Sequence, residues 1–315
     1  RSTGPSKPGL PRATDACDSS RGVAVVVAIV VSYQPERSLL RNVEALLPQV
    51  GSVVVVDNGS VGESRQWLEP LRAAAGVKVV DLGENLGIAA ALNEGIRQAR
   101  GLGAQWVLTM DQDSTVPTGF VARLLAAYEA SRKSGRVAIV APRYLDQSTG
   151  LEHSFAKNRD DSRGWAAVEM TLTSGNLVRL DALDAIGHFD EALFIDYVDM
   201  EFCLRCRAAG YAIVEASGAT LLHRLGNASR HRVLGRTVAA TNHSVLRRYY
   251  ISRNRVALYR RFLWSRPGWV ANDLFIWTRE IVKIASFEED RPAKLRAMIR
   301  GAWHGLRGRM GCLDD

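Results

Sequence analysis

The sequence predicts an α/β protein: a mostly parallel sheet flanked by helices, followed by a C-terminal helical extension. Three observations predict it. Short apolar runs recur, each followed within a few residues by a segment of helical periodicity. The close spacing of these strand and helix patterns specifies a doubly wound parallel sheet. Beyond residue 222 the strand pattern stops and long, basic, helix-periodic segments take over. With 315 residues, 47% of them hydrophobic, the chain can build one large domain and an appendage.

In chain order, the valine-rich run 23–32 reads as a buried first strand, followed by a helix over 37–47. Strands at 52–57 and 77–81 alternate with helices at 64–75 and 88–100. The run 106–110 forms a fourth strand, 118–134 a helix and 137–142 a strand. Later strands at 168–173 and 211–215 flank a helical segment at 199–210. The extension reads as a basic loop and then helices over 245–264, 269–286 and 292–306. The expected organisation is an N-terminal arm (1–22) rich in Pro, Gly, Ser and Thr and disordered, a catalytic domain (23–225), and a basic helical region (226–315).

Composition narrows the function classes. No stretch of 18 apolar residues exists, so no spanning helix is expected, although the protein can lie on a membrane. Cys17, Cys203, Cys206 and Cys312 lack disulfide-framework spacing, and one CxxC pair cannot complete a zinc site. Reduced thiols in a cytosolic protein are the expectation. Residues 224–310 carry nineteen Lys or Arg against five Asp or Glu, which calls for a polyanion, a bilayer surface or solvent.

The chemistry-bearing residues cluster at strand ends. Asp111-Gln112-Asp113 follows the apolar run Trp106 to Met110, so two carboxylates emerge at the carboxyl edge of the sheet, where open α/β sheets bind ligands. Two hard oxygen ligands beside a phosphate suit Mg²⁺ or Mn²⁺; the same residues can also form a turn or helix cap. Asp57, before Asn58-Gly59-Ser60, can accept the imide N–H of a uracil or thymine, or simply begin a turn. Asn85-Leu86-Gly87 precedes a helix whose small first residues allow a ligand to approach its N-terminus. There is neither GxGxxG nor a Walker pattern. Asp196, Asp199 and Glu201 form a second acidic cluster before a helical segment.

The order of these motifs resembles the family 2 glycosyltransferases of the GT-A fold, particularly bacterial rhamnosyltransferases. The resemblance rests on Val30-Val31-Ser32-Tyr33, Val56 to Ser60, Asn85-Leu86-Gly87, Asp111-Gln112-Asp113, Ser174-Gly175-Asn176, Asp190-Glu191 with Asp196 to Glu201, and His223, and it covers roughly residues 25–260. It implies that Ser32, Tyr33, Asp57, Asn85, Gly87, Asp111, Gln112, Ser174 and Gly175 bind a nucleotide sugar. It implies a Mg²⁺ or Mn²⁺ ion on Asp111 and Asp113, with His223 at the metal or diphosphate. An inverting transfer needs one carboxylate to take the acceptor proton; aligning Cys203-Leu204-Arg205 with the family places it at Asp199, with Glu201 second and Asp196 third. The family's usual Glu before this Asp is Val198 here.

Arg224 and the stretch Tyr250, Arg253, Asn254 are expected at the acceptor or diphosphate. Arg247 to Arg255 interleaves cations with aromatics, but no nucleic-acid motif accompanies it, so a lipid-diphosphate acceptor is the more economical partner and no nucleic acid is expected. The resulting expectation is an inverting, metal-dependent transferase moving L-rhamnose from dTDP-L-rhamnose to a lipid-linked glycan. It would lie peripherally on the inner, cytoplasmic face of an anionic membrane, with a homo-oligomer possible. The alternatives are a family member using a UDP-sugar, a nucleotidyltransferase, and a non-enzymatic basic module that binds membrane or nucleic acid.

Overall fold

A computed structural model describes residues 25–147, 149–157, 161–223, 229–233, 236–240 and 242–313. The first half alternates as expected: β1 (Val26–Ser32), α1 (Ser38–Leu46), β2 (Ser52–Asp57), α2 (Glu69–Ala73), β3 (Val77–Asp81), α3 (Ile88–Gly101), β4 (Trp106–Asp111) and α4 (Phe120–Ser131). Then come β5 (Val137–Asp146), β6 (Glu152–His153), β7 (Trp165–Val168), β8 (Asn176–Arg179), α5 (Leu180–Ile186), α6 (Val198–Ala208) and β9 (Ala212–His223). A hairpin, β10 (Ser229–Val233) and β11 (Arg236–Ala240), leads to α7 (Val245–Phe262), α8 (Pro267–Phe287) and α9 (Arg291–Arg307).

The main sheet runs β3-β2-β1-β4-β8-β5-β9-β7, with β6 on β5. Its first four strands are parallel, as are β5 and β9. Successive side chains of a strand point to opposite faces, and both faces are covered, which is why β1 and β2 are almost unbroken valine. Val27, Ile29, Val54 and Val56 pack with Ala91, Leu92 and Ile96 of α3. Val26, Ala28, Val30, Val53 and Val55 pack with Leu39 and Val43 of α1 and Leu124 of α4. Gly95 lets α3 lie directly on β1, because a Cβ there would be 2.3 Å from Ile29 Cγ2.

Three elements differ from the sequence reading. The helix expected over 64–75 divides into a 3-10 turn, Gly62–Trp67, and the short α2. Pro70 explains the break, since it lacks the N–H that a continuous helix would use and suits the first turn of a new one. The strand expected over 168–173 is displaced: β7 ends at Val168, and β8 enters antiparallel between β4 and β5. The basic segment after residue 222, read as a loop, contains the antiparallel pair β10 and β11. The three C-terminal helices match their expected ranges closely, and α7 and α9 lie against one another. Gly301 and Gly305 permit that, since a Cβ at either would lie 2.3 Å from a carbonyl oxygen of α7.

Candidate active site

Parallel register brings the strand ends to one edge: Ser32 is level with Asp57, Val31 with Asp111, and Asp57 with Asp81. A cleft of about 590 Å³ opens there. Its lining includes Tyr33, Asn58, Asn85 and Gly87, the triplet Asp111, Gln112 and Asp113, and Asp196, Asp199 and Arg247.

The acidic triplet is held from both sides. Gln112 Oε1 accepts from Ser32 Oγ at 3.1 Å and the Tyr33 N–H at 3.0 Å, and its amide donates to Tyr33 O at 3.0 Å. Ser174 Oγ accepts the Asp111 N–H at 3.0 Å and bonds Ser114 Oγ at 2.9 Å. With its backbone fixed, Asp111 is left in a poorly solvated position. Burial, and then the charge of Asp113, push its carboxyl up to about 7. Two carboxylates that resist joint ionisation suit a divalent cation, which favours both charged forms. Among the described residues no group of three or more His, Cys, Asp or Glu gathers as a metal cage. The two hard oxygen donors of Asp111 and Asp113 would suit a cation that takes its other ligands from water or a bound phosphate, the usual habit of Mg²⁺. His223 ends β9 level with Asp146, and its side chain and all of Arg224 lie outside the described residues.

Residues Phe194 to Tyr197, which also line the cleft, form a strained loop. Phe194, Asp196 and Tyr197 have φ of 64°, 62° and 65°, values that non-glycine residues seldom adopt and that cost of order 1–3 kcal/mol each. The Ile195 N–H donates to Leu193 O at 2.8 Å, closing a γ-turn centred on Phe194. Gly87 is required beneath it, because a Cβ there would lie 2.5 Å from Phe194 O. The loop delivers Asp196 to the cleft wall and Asp199 to the first turn of α6. Burial, then Asp196 and Asp111, raise the Asp199 carboxyl to about 6, against opposing hydrogen bonds from the Met200 N–H at 2.8 Å and from the Asp199 backbone.

Several expected contacts are corrected by this geometry. Glu201, second in order for the proton, is buried away from the cleft and pairs with Arg205 at 2.6 Å and Arg261 at 2.7 Å. Positions two apart on a helix lie about 200° apart, so Asp199 and Glu201 cannot share a face. Asp57 stands behind the wall, fully buried, with its carboxylate accepting the Ser60 N–H at 3.1 Å and the Ser60 hydroxyl; Asn58 and Asn85 form the surface there. Ser32 and Ser174 are also buried and act on the triplet from behind. Gly175 makes the turn into β8 at φ 84°, and Leu172 and Thr173 reach the cleft in its place.

Tyr250, Arg253 and Asn254 are buried in α7 and do not line the cleft. Their polar and aromatic groups are taken up by the Leu193 to Asp196 backbone and the Phe194 ring. Arg247, absent from the expected site, is the cation that reaches the cleft from α7. Its sequence signals are its place at the head of the cation and aromatic stretch 247–255 and in the first turn after the Ser244 cap, whose hydroxyl accepts the Arg247 N–H at 3.2 Å.

Residues 27–186 match the family described as "Glycosyl transferase family 2". The chain is 30% identical over 252 residues to "dTDP-rhamnosyl transferase RfbF" of Shigella flexneri, covering 75% of this chain and 80% of the relative. It is 28% identical over 262 residues to "Galactofuranosyltransferase GlfT1" of Mycobacterium tuberculosis, covering 77% and 83%. The S. aureus TarS 1-349 structure in complex with UDP-GlcNAc superposes with a TM-score of 0.53 at 17% identity, over 90% of this chain and 92% of that one. That likeness shows the fold, the GT-A arrangement expected from the motifs. Neither a nucleotidyltransferase nor a non-enzymatic basic module is needed to account for the chain. It belongs to glycosyl transferase family 2.

Proposed function

We propose that this glycosyltransferase moves L-rhamnose from dTDP-L-rhamnose, with inversion, onto the saccharide of a lipid-diphosphate-linked acceptor in bacterial surface-glycan synthesis. The observation that carries the reading is one cleft lined by two acidic clusters, Asp111 and Asp113 after β4 and Asp196 and Asp199 at the entry to α6. The likeness to a dTDP-rhamnosyl transferase supports the donor.

In this reading the nucleotide lies along Tyr33, Asn58 and Asn85, and the sugar faces Asp199. Asp111 and Asp113 would hold Mg²⁺ or Mn²⁺, whose charge, when bound, offsets that of the departing diphosphate. Asp199 accepts the acceptor hydroxyl's proton while the oxygen bonds to C1 from the face opposite the leaving group. The C1–O bond to the diphosphate breaks as that bond forms, and its electron pair leaves with the phosphate oxygen. A carboxyl with a pKa of about 6 is ionised at neutral pH yet more basic than an exposed aspartate, as a general base requires.

Residues 23–225 would form the catalytic unit, and 226–315 would place it on the cytoplasmic face of the membrane. Asp273, Glu280 and Glu288 are consumed internally by Arg248, Arg255 and Lys294. Phe275, Val282, Ile299, Trp303 and Leu306 are exposed on α8 and α9, among Arg279, Arg296, Arg300 and Arg307. Such a surface suits an anionic interface. No helix among the described residues is long and apolar enough to cross a membrane.

The test is a panel of dTDP-, UDP- and GDP-sugars with Mg²⁺ or Mn²⁺, measuring binding and slow hydrolysis. Preference for dTDP-L-rhamnose supports the donor assignment. Preference for a UDP-sugar, the donor type bound in the TarS structure, would replace it within the same family.

A further inference from the structure

We infer that Asn254 is a positioning residue for the catalytic carboxylates, holding the Phe194 to Tyr197 loop in its strained conformation, with Arg253 and the segment after α9 as its backing. The inference rests on the reading in which Asp199 takes the proton.

The buried Asn254 amide donates toward three carbonyls of one short stretch: Leu193 O at 2.9 Å, Ile195 O at 2.8 Å and Asp196 O at 2.9 Å. Its own oxygen accepts from Arg253 Nε at 2.9 Å, which fixes which end of the amide faces the loop. Arg253 Nη2 reaches Leu193 O at 2.9 Å, and Nη1 donates to Gly311 O. Gly311 in turn donates its N–H to Ala192 O at 2.8 Å. Tyr250 stacks on Phe194 with centroids 5.1 Å apart, and its hydroxyl accepts the Leu313 N–H at 2.8 Å. The chain beyond α9 thus closes the back of the loop whose front carries Asp196 and Asp199.

The chemistry is particular to a primary amide. Carbonyls gathered by three residues with positive φ need a convergent donor; removing it takes the Asn254 bond from Ile195 O and Asp196 O, while Leu193 O keeps Arg253 and the Ile195 N–H, and leaves the backbone free to relax. An aspartate of the same shape would set oxygen against oxygen. Relaxation would displace Asp199 from the sugar without disturbing the triplet, so the rate should fall while donor affinity stays.

The experiment compares wild type, Asn254→Ala, Asn254→Asp and a chain ending at Met310, measuring kcat, donor Kd and the pH dependence of kcat. Expected for each variant is a kcat lower by about 10- to 100-fold, as for a misaligned catalytic group, with donor Kd within about twofold. The acid limb of the kcat profile should also move, which a general loss of folded protein would not cause. If the Asn254 variants fail to fold, the chain ending at Met310 decides, since it leaves α7 intact and removes only the contacts beyond α9. Wild-type kcat in the variants that fold, or donor affinity falling in step with kcat, would overturn the inference. Asp199→Asn separates the two levels: if it is inactive while the Asn254 variants are normal, only the positioning role fails, and if it is fully active, the base assignment fails.

Discussion

Arg247 forks over Asp196 at the cleft wall, its Nη2 2.9 Å from Oδ1 and its Nε 3.1 Å from Oδ2. The pair divides labour within the second acidic cluster. Asp196 has a cation of its own, whereas the Asp199 carboxylate, three residues on, accepts the Met200 N–H. Arg247 is the one Lys or Arg among the described residues lining this cleft, and in the proposed reading it faces the donor's diphosphate. Arg247→Ala should lower kcat about tenfold, the scale of one partly exposed charge-assisted hydrogen bond, with little change in Tm. Steady-state kinetics beside a thermal melt check this; wild-type kcat would confine Arg247 to pairing with Asp196.

Asp113→Asn tests the triplet. Asp113 is exposed and at the end of a strand, so its side chain contributes little packing and the fold should persist. Removing a charged ligand should weaken metal-dependent donor binding by about 10- to 100-fold. Calorimetric titration of donor with and without Mg²⁺ reads this; unchanged metal-dependent affinity would make the triplet structural.

The pH profile follows from Asp199. Its carboxyl is raised to about 6 by burial and by Asp196 and Asp111, so the proton-accepting form is present above that pH and is lost below it. The expected kcat is flat above about pH 7 and falls roughly tenfold per unit below about pH 5.5. A profile flat down to pH 4.5 would mean that Asp199 is not the base.

Much of the fold and part of the site were legible in the sequence, for identifiable reasons. Buried parallel strands are continuous apolar runs, and the acids Asp111 and Asp113 that follow one are read directly, whereas Asp196 and Asp199, at the entry to α6, were joined to them only by the family's motif order. Glu201 was misplaced because linear proximity ignores where α6 begins, at Val198. Tyr250, Arg253 and Asn254 were read as ligand-facing because they lie in a stretch that interleaves cations with aromatics. Only the tertiary structure shows the loop carbonyls that satisfy them. Arg247 was read only as the head of the cation and aromatic stretch, because its partner Asp196 lies 51 positions away, a separation no periodicity encodes.

The outward faces of α8 and α9 give a test of location. Binding to vesicles should rise with anionic lipid content and fall with salt, each Arg near the surface contributing about 1 kcal/mol. Replacing Arg296, Arg300 and Arg307 by Gln should abolish most of it without altering the buried Arg248 and Arg255 pairs. Equal sedimentation with neutral and anionic vesicles, or none with either, would assign the face to packing between protein molecules.

The most direct test of the central claim is the transfer rate of Asp199→Asn at saturating donor, with Glu201→Gln beside it. The expected result is a rate lower by about 10²-fold or more for Asp199→Asn, with donor affinity retained. Glu201→Gln, whose parent pairs with Arg205 and Arg261 away from the cleft, should transfer at nearly the wild-type rate and melt at a lower temperature. Normal transfer by Asp199→Asn would contradict the account.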